Sequence, residues 1–205
     1  MLLAKPLFLA VAGLALVQTG DLSLRATRAA PAIHPRNTVA SGLSVIEVEL
    51  DQTTDTLRTR VLYGKSPFSA SAVDAIKQWR FAAPPGANIT RTSVTFLFRP
   101  PAIYSVAVLD AAVKPWMPGE DSSALPQQVI DPGYPPTSVA QGSVILEAHV
   151  SREGIVTAVQ TMSGDRSLSG QAERAVKTWR FSPALIFGKA VEATVFVVIS
   201  FVQPT

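Results

Sequence analysis

Ala75-Ile76-Lys77-Gln78-Trp79-Arg80-Phe81 and Ala175-Val176-Lys177-Thr178-Trp179-Arg180-Phe181 are one helix end written twice, 100 residues apart. Laying residues 35–81 on 135–181 without a gap gives 13 identities, among them Pro35, Gly42, Glu47, Gly64, Ala72 and Ala75. These matches fall at turn glycines and at apolar positions of helical spacing, where local physics restricts the choice of residue. The chain therefore reads as an internal duplication.

Working outward from the helix end, Phe68, Ala72, Ala75, Ile76 and Trp79 mark one apolar helix face, and Leu168, Ala172, Ala175, Val176 and Trp179 repeat it. Ser66 or Ser69, and Ser167 or Ser169, are candidate N-caps. Lys77, Arg80, Lys177 and Arg180 suit the negative end of the helix dipole, and Pro84 and Pro183 prevent continuation. Ahead of each helix, alternation of Ile46, Val48 and Leu50, and of Val144, Leu146, Ala148 and Val150, predicts a half-buried strand. A polar turn follows, Asp51–Asp55 or Ser151–Gly154, and then a second strand near 56–63 or 155–162. Thr92–Arg99 and Ala193–Phe201, rich in β-branched and aromatic residues, supply the third. The expected class is α+β: two repeated ββαβ units, each a three-stranded antiparallel sheet with a helix packed on one face.

The organisation that follows is residues 1–20 as an export signal or short anchor, 21–34 as a flexible lead, 35–100 as the first unit, 101–133 as a proline-containing linker and 134–205 as the second unit. Lys5 followed by the apolar run Leu7–Val17 has the form of a signal, and the run is shorter than the roughly 20 residues a bilayer span needs. Export to the periplasm is expected, with N-terminal anchoring to the inner membrane as the alternative. Trp116, set among prolines, is read as linker packing in preference to a binding anchor.

Composition excludes several functions. The net charge is +3 with no basic run, which argues against nucleic acid as a partner. The chain has no cysteine, and its two histidines, His34 and His149, lie in different units, so no metal or cofactor site is expected. Ser163, Asp165 and His149 have the letters of a hydrolase triad without the strand-elbow-helix context that activates a serine. Glu47 and Glu147 also fall in separate units. A non-enzyme is expected.

The second unit runs from Tyr134-Pro135-Pro136 through Gly142, Arg152-Glu153-Gly154, Ser163-Gly164 and Trp179-Arg180-Phe181-Ser182-Pro183-Ala184 to Gly188-Lys189 and Ile199-Ser200-Phe201. In this order and spacing it closely resembles the C-terminal domain of the TonB family. The first unit resembles a degraded copy, with His34-Pro35 at its entry, no glycine in its first hairpin and Ala82-Ala83-Pro84 after the helix. The resemblance implies a protein that grips a short segment of an outer-membrane TonB-dependent receptor by strand pairing, in a system driven by an inner-membrane proton motor. The apolar run carries no histidine and no long Pro/Lys/Glu-rich rod follows it, so the likeness is to the gripping domain alone.

Strand addition needs an edge with free main-chain groups. The candidate is the last strand, at Thr194, Val195, Phe196, Val197, Val198 and Ile199, with burial between the units as the alternative. Two rival functions are a peptidoglycan binder and a purely structural periplasmic docking module.

Overall fold

The computed structural model describes residues 23–104, 108–111, 113–115 and 121–204. The export-signal segment and Trp116 lie outside these residues. In chain order the elements are β1 (Arg25–Arg28), β2 (Gly42–Asp51), β3 (Thr56–Tyr63), α1 (Phe68–Ile76), β4 (Arg80–Ala82), β5 (Ile89–Phe98), β6 (Val108–Asp110) and β7 (Leu125–Ile130). They continue with β8 (Gly142–Val150), β9 (Val156–Ser163), α2 (Arg166–Val176), β10 (Arg180–Ser182), β11 (Ala184–Ile186), β12 (Lys189–Val191) and β13 (Ala193–Phe201). The class is α+β.

The expected three-stranded sheets do not stay separate. One six-stranded sheet runs β3-β2-β5-β13-β8-β9, antiparallel within each half and parallel where β5 meets β13. Joining two like halves through parallel strands turns one half over relative to the other, because only rotation about the strand direction keeps the strands parallel. The helices therefore lie on opposite faces. α1 packs with Ile46, Val48, Val94, Phe96, Phe98, Phe196 and Val198. α2 packs with Val144, Leu146, Ala148, Val195, Val197, Ile199 and Phe201, and this second core also takes Val45 and Leu97 from the first half. A strand with a core on each side needs apolar residues at successive positions, and all nine residues of β13 are buried.

Within the stretch expected as a flexible lead, residues 23–34 are packed on the first half. β1 pairs with β4, Leu24 is fully buried, and the indole N–H of Trp79 donates to the Ala30 carbonyl at 3.0 Å. The part of the expected linker at 125–130 behaves alike: β7 pairs with β10, Leu125 and Val129 are buried, and Trp179 donates to the Ile130 carbonyl at 2.9 Å. Each tryptophan lies just past its helix, not within its last turn, and its indole reaches back to a carbonyl 49 residues earlier. A further pair recurs at the same offset. His34 Nε2 lies 3.1 Å from the Ala40 carbonyl, and the Tyr134 hydroxyl donates to the Ala140 carbonyl at 2.8 Å.

The helix starts differ from expectation. The N-cap of α2 is Asp165, which accepts the Ser167 amide at 2.8 Å; Ser167's hydroxyl and amide hold the Asp165 carboxyl below its usual range. The N-cap of α1 is Pro67, which offers no side-chain cap. A buried ion pair fastens the exit of β5 to the entry of the second half, Arg99 Nε donating to Asp131 while Nη2 donates to the Ala102 carbonyl at 3.1 Å.

Both tryptophans are fully buried with their only polar atom satisfied, so Trp79→Ala and Trp179→Ala each remove a large packed ring and orphan a carbonyl. Each is expected to cost about 3–5 kcal/mol. Because the halves share two cores, denaturant unfolding followed by near-ultraviolet and far-ultraviolet circular dichroism should show one shifted transition, not loss of one half alone.

Candidate partner-binding edges

Thr194–Ile199, expected to present an open edge, is the best-covered strand of the molecule. From Phe196 to Ser200 it pairs with Val94–Phe98 on one side, and over its whole length it pairs with β8 on the other. Arg99 extends the parallel seam by donating its amide to the Ser200 carbonyl at 3.0 Å, and the Thr92 hydroxyl donates to the Thr194 carbonyl at 2.8 Å. No main-chain group of this central strand is offered to a guest along that stretch. A long apolar strand exposed at an edge would aggregate, and this chain covers it with its own first half.

Two outer strands remain open among the described residues, β3 and β9. β3 carries Arg58 and Arg60 on the sheet face shared with Glu47 and Glu49. Arg58 pairs with Glu49 at 3.3 Å, and Arg91 reaches the same carboxylate at 2.9 Å. Glu47 accepts the Ser123 hydroxyl at 3.0 Å. On the opposite face Leu57 and Val61 are 40% exposed. Paired arginines on an outer strand are one of the ways natural sheets blunt an edge.

β9 has neither charge nor proline: Val-Thr-Ala-Val-Gln-Thr-Met-Ser. Thr157, Ala158, Gln160 and Ser163 are exposed, while Val156 is buried and Val159 packs partly on the α2 core. The hairpin entering β9 is fixed by Gly154, whose φ of 78° is costly for other residues and whose missing Cβ leaves room for the Phe181 carbonyl; a Cβ there would lie 1.9 Å from that oxygen. Two carboxylates flank the middle of the strand. Glu147 stands opposite Gln160 in register, and Glu173 of α2 accepts the Thr161 hydroxyl at 2.6 Å on the other face. His149 contacts Glu147 at 3.7 Å and Thr194 Oγ1 at 3.1 Å.

One cleft of about 410 Å³ opens where β5 and β13 begin, bounded by Ile89, Arg91, Asp121, Leu185 and Phe187. Its main-chain donors are largely used. Ser122 and Leu185 exchange two hydrogen bonds, and the Phe187 amide donates to Asp121 Oδ1 at 2.6 Å. The triad letters do not assemble: Asp165 caps α2, and His149 engages Glu147 and Thr194 in place of Ser163. Among the described residues no cluster of histidine, aspartate or glutamate has metal-site geometry.

Among the described residues the open sides of the large sheet are those of its two outer strands, β3 and β9. Residues 132–202, which run from the approach to Tyr134 through the end of β13, match the family model described as Gram-negative bacterial TonB protein C-terminal. No curated protein and no solved structure matches the chain.

The reading of Thr194–Ile199 is itself open to mutation. Val197→Pro removes a donor from a strand paired on both sides, where proline is not accommodated. The expected outcome is loss of the folded state, seen as a collapsed near-ultraviolet dichroism signal. A folded Val197→Pro protein would contradict the central placement.

Proposed function

We propose that this chain is a TonB-like protein of the periplasm, associated with TonB-dependent transport across the outer membrane, that holds partner segments by β-strand addition. The observation that carries this reading is the match of residues 132–202 to the TonB C-terminal family model, in a half whose outer strand, β9, is paired on its inner side alone. Main-chain hydrogen bonds along such an edge supply affinity for any extended segment, and the flanking side chains supply selection.

On this reading residues 134–205 are the working copy and residues 35–100 a degraded one. The shared element order of the two halves and their tryptophan-to-carbonyl bonds at the same offset support it. The first half then serves as a permanent neighbour to β13, supporting the second half in place of a guest. Among the described residues no helix is long and apolar enough to cross a membrane, and coupling to a proton motor forms no part of the proposal.

The test is capture of synthetic plug segments from outer-membrane TonB-dependent receptors by the full chain, read by fluorescence anisotropy, beside sedimentation with purified cell-wall sacculi. Saturable binding of a receptor segment supports the proposal. Retention on sacculi with no segment bound would replace it with the peptidoglycan reading, and binding of neither would leave a structural docking role.

A further inference from the structure

We infer that the guest enters at β9, and that this edge selects an extended segment carrying a basic side chain at the level of Gln160 and Thr161. The inference rests on the strand-addition reading above and says where it happens and for whom.

The sheet has three places where a strand could in principle be added. The seam beside β13 is closed, because a guest there would have to displace Val94–Phe98, whose alternate side chains belong to opposite cores: Val94, Phe96 and Phe98 to one and Leu97 to the other. No short peptide replaces those contacts on both faces at once. The β3 edge is open but guarded, since Arg58 and Arg60 lie on it and the Glu49 carboxylate holds Arg58 in place. A guest strand would have to pass or rearrange these side chains to reach the main chain.

β9 lacks every one of these defences. Its eight residues include no charge and no proline, Thr157, Ala158, Gln160 and Ser163 are exposed, and among the described residues no strand pairs with its outer side beyond the Ile155–Arg180 bridge at its entry. β3, at the far end of the sheet, carries the charge guard that natural edges use, and β9 does not, which leaves β9 the more accessible of the two edges for strand addition even though two register shifts interrupt its ladder with β8. β9 also lies within the segment that matches the family.

Charge defines the guest. Gln160 and Thr161 are successive residues and so project to opposite faces of the sheet. Glu147, 27% exposed, stands beside Gln160 on one face, and Glu173 bonds Thr161 on the other. Of the neighbouring side chains, the His149 ring lies 3.7 Å from Glu147, and Arg174 donates to Gln171 Oε1 at 2.7 Å. A lysine or arginine on a guest strand at this level is attracted across Gln160 by Glu147 on one face and by Glu173 beside Thr161 on the other, whereas an acidic residue is repelled on both. On the α2 face the guest would also lie beside Val156 and Val159, which favours a β-branched or apolar neighbour there.

The experiment titrates the full chain with two fluorescent receptor-plug segments of equal length, one with a central lysine and one with glutamate in its place. Ala158→Pro and Val159→Pro are made as a pair, because adjacent amides point to opposite sides of a strand and one of the two removes an outward donor. Thr59→Pro and Arg60→Pro treat β3 in the same way. The expected result is about tenfold tighter binding of the lysine segment, a preference that Glu147→Gln with Glu173→Gln abolishes, and at least one β9 proline that keeps its melting temperature and loses the segment. If binding survives both β9 prolines and disappears with a β3 proline, the edge assignment is overturned while strand addition stands. Failure of the unaltered chain to bind either segment overturns both. Should both β9 prolines unfold the protein, amide exchange of the unaltered chain decides: new protection confined to residues 156–163 on adding the lysine segment supports the inference, and protection elsewhere overturns it.

Discussion

The parallel contact between β5 and β13 is the constraint on which the rest of the structure depends. It joins two small antiparallel sheets into one, and it turns the halves so that α1 and α2 cover opposite faces. A unit of roughly 70 residues buries only a modest share of its apolar surface and is marginal alone. Here neither half is alone, because Phe196 and Val198 complete the core under α1 while Val45 and Leu97 complete the core under α2. The same contact removes the two inner edges and leaves β3 and β9 as the outer ones.

The segments before each half complete this arrangement. Main chain from 23 to 34 and from 125 to 134 lies beside the strands that leave the helices, and each supplies the carbonyl that satisfies a buried indole. A tryptophan in a core needs a partner for its N–H, and only a segment passing close to the helix end can provide one. Arg99 and Asp131 then tie the two halves at the point where the first ends and the second begins. A charge pair this buried stands only because each member has the other and further hydrogen bonds besides.

Much of this was legible in the residues. The Trp-Arg-Phe repeat, the helix faces and the strand order could be read because identity at the 100-residue offset coincides with physically demanding positions. The roles of 23–34 and 123–134 could not be found in that way: between them only Ser23 and Ser123 are identical, since a segment that contributes a main-chain carbonyl imposes little on its side chains. The open edge is hidden in the sequence for a different reason. Thr194-Val195-Phe196-Val197-Val198-Ile199 fits by composition either an apolar edge or a strand buried between the halves, and an apolar run without alternation is what a strand with a core on each face requires. The uncharged composition of 156–163 was the available signal for an open edge, and the weak alternation of that stretch obscured it.

Native-state amide exchange across the β5–β13 contact tests the central claim most directly. If the two halves form one cooperative body, the ladder amides of Val94–Phe98 and Phe196–Ser200 exchange only through global unfolding, with the same free energy and denaturant dependence as the whole chain. Exchange of those amides through a smaller opening, at lower free energy than the cores under α1 and α2, would mean that the halves separate in the native state and that the β13 edge is available after all.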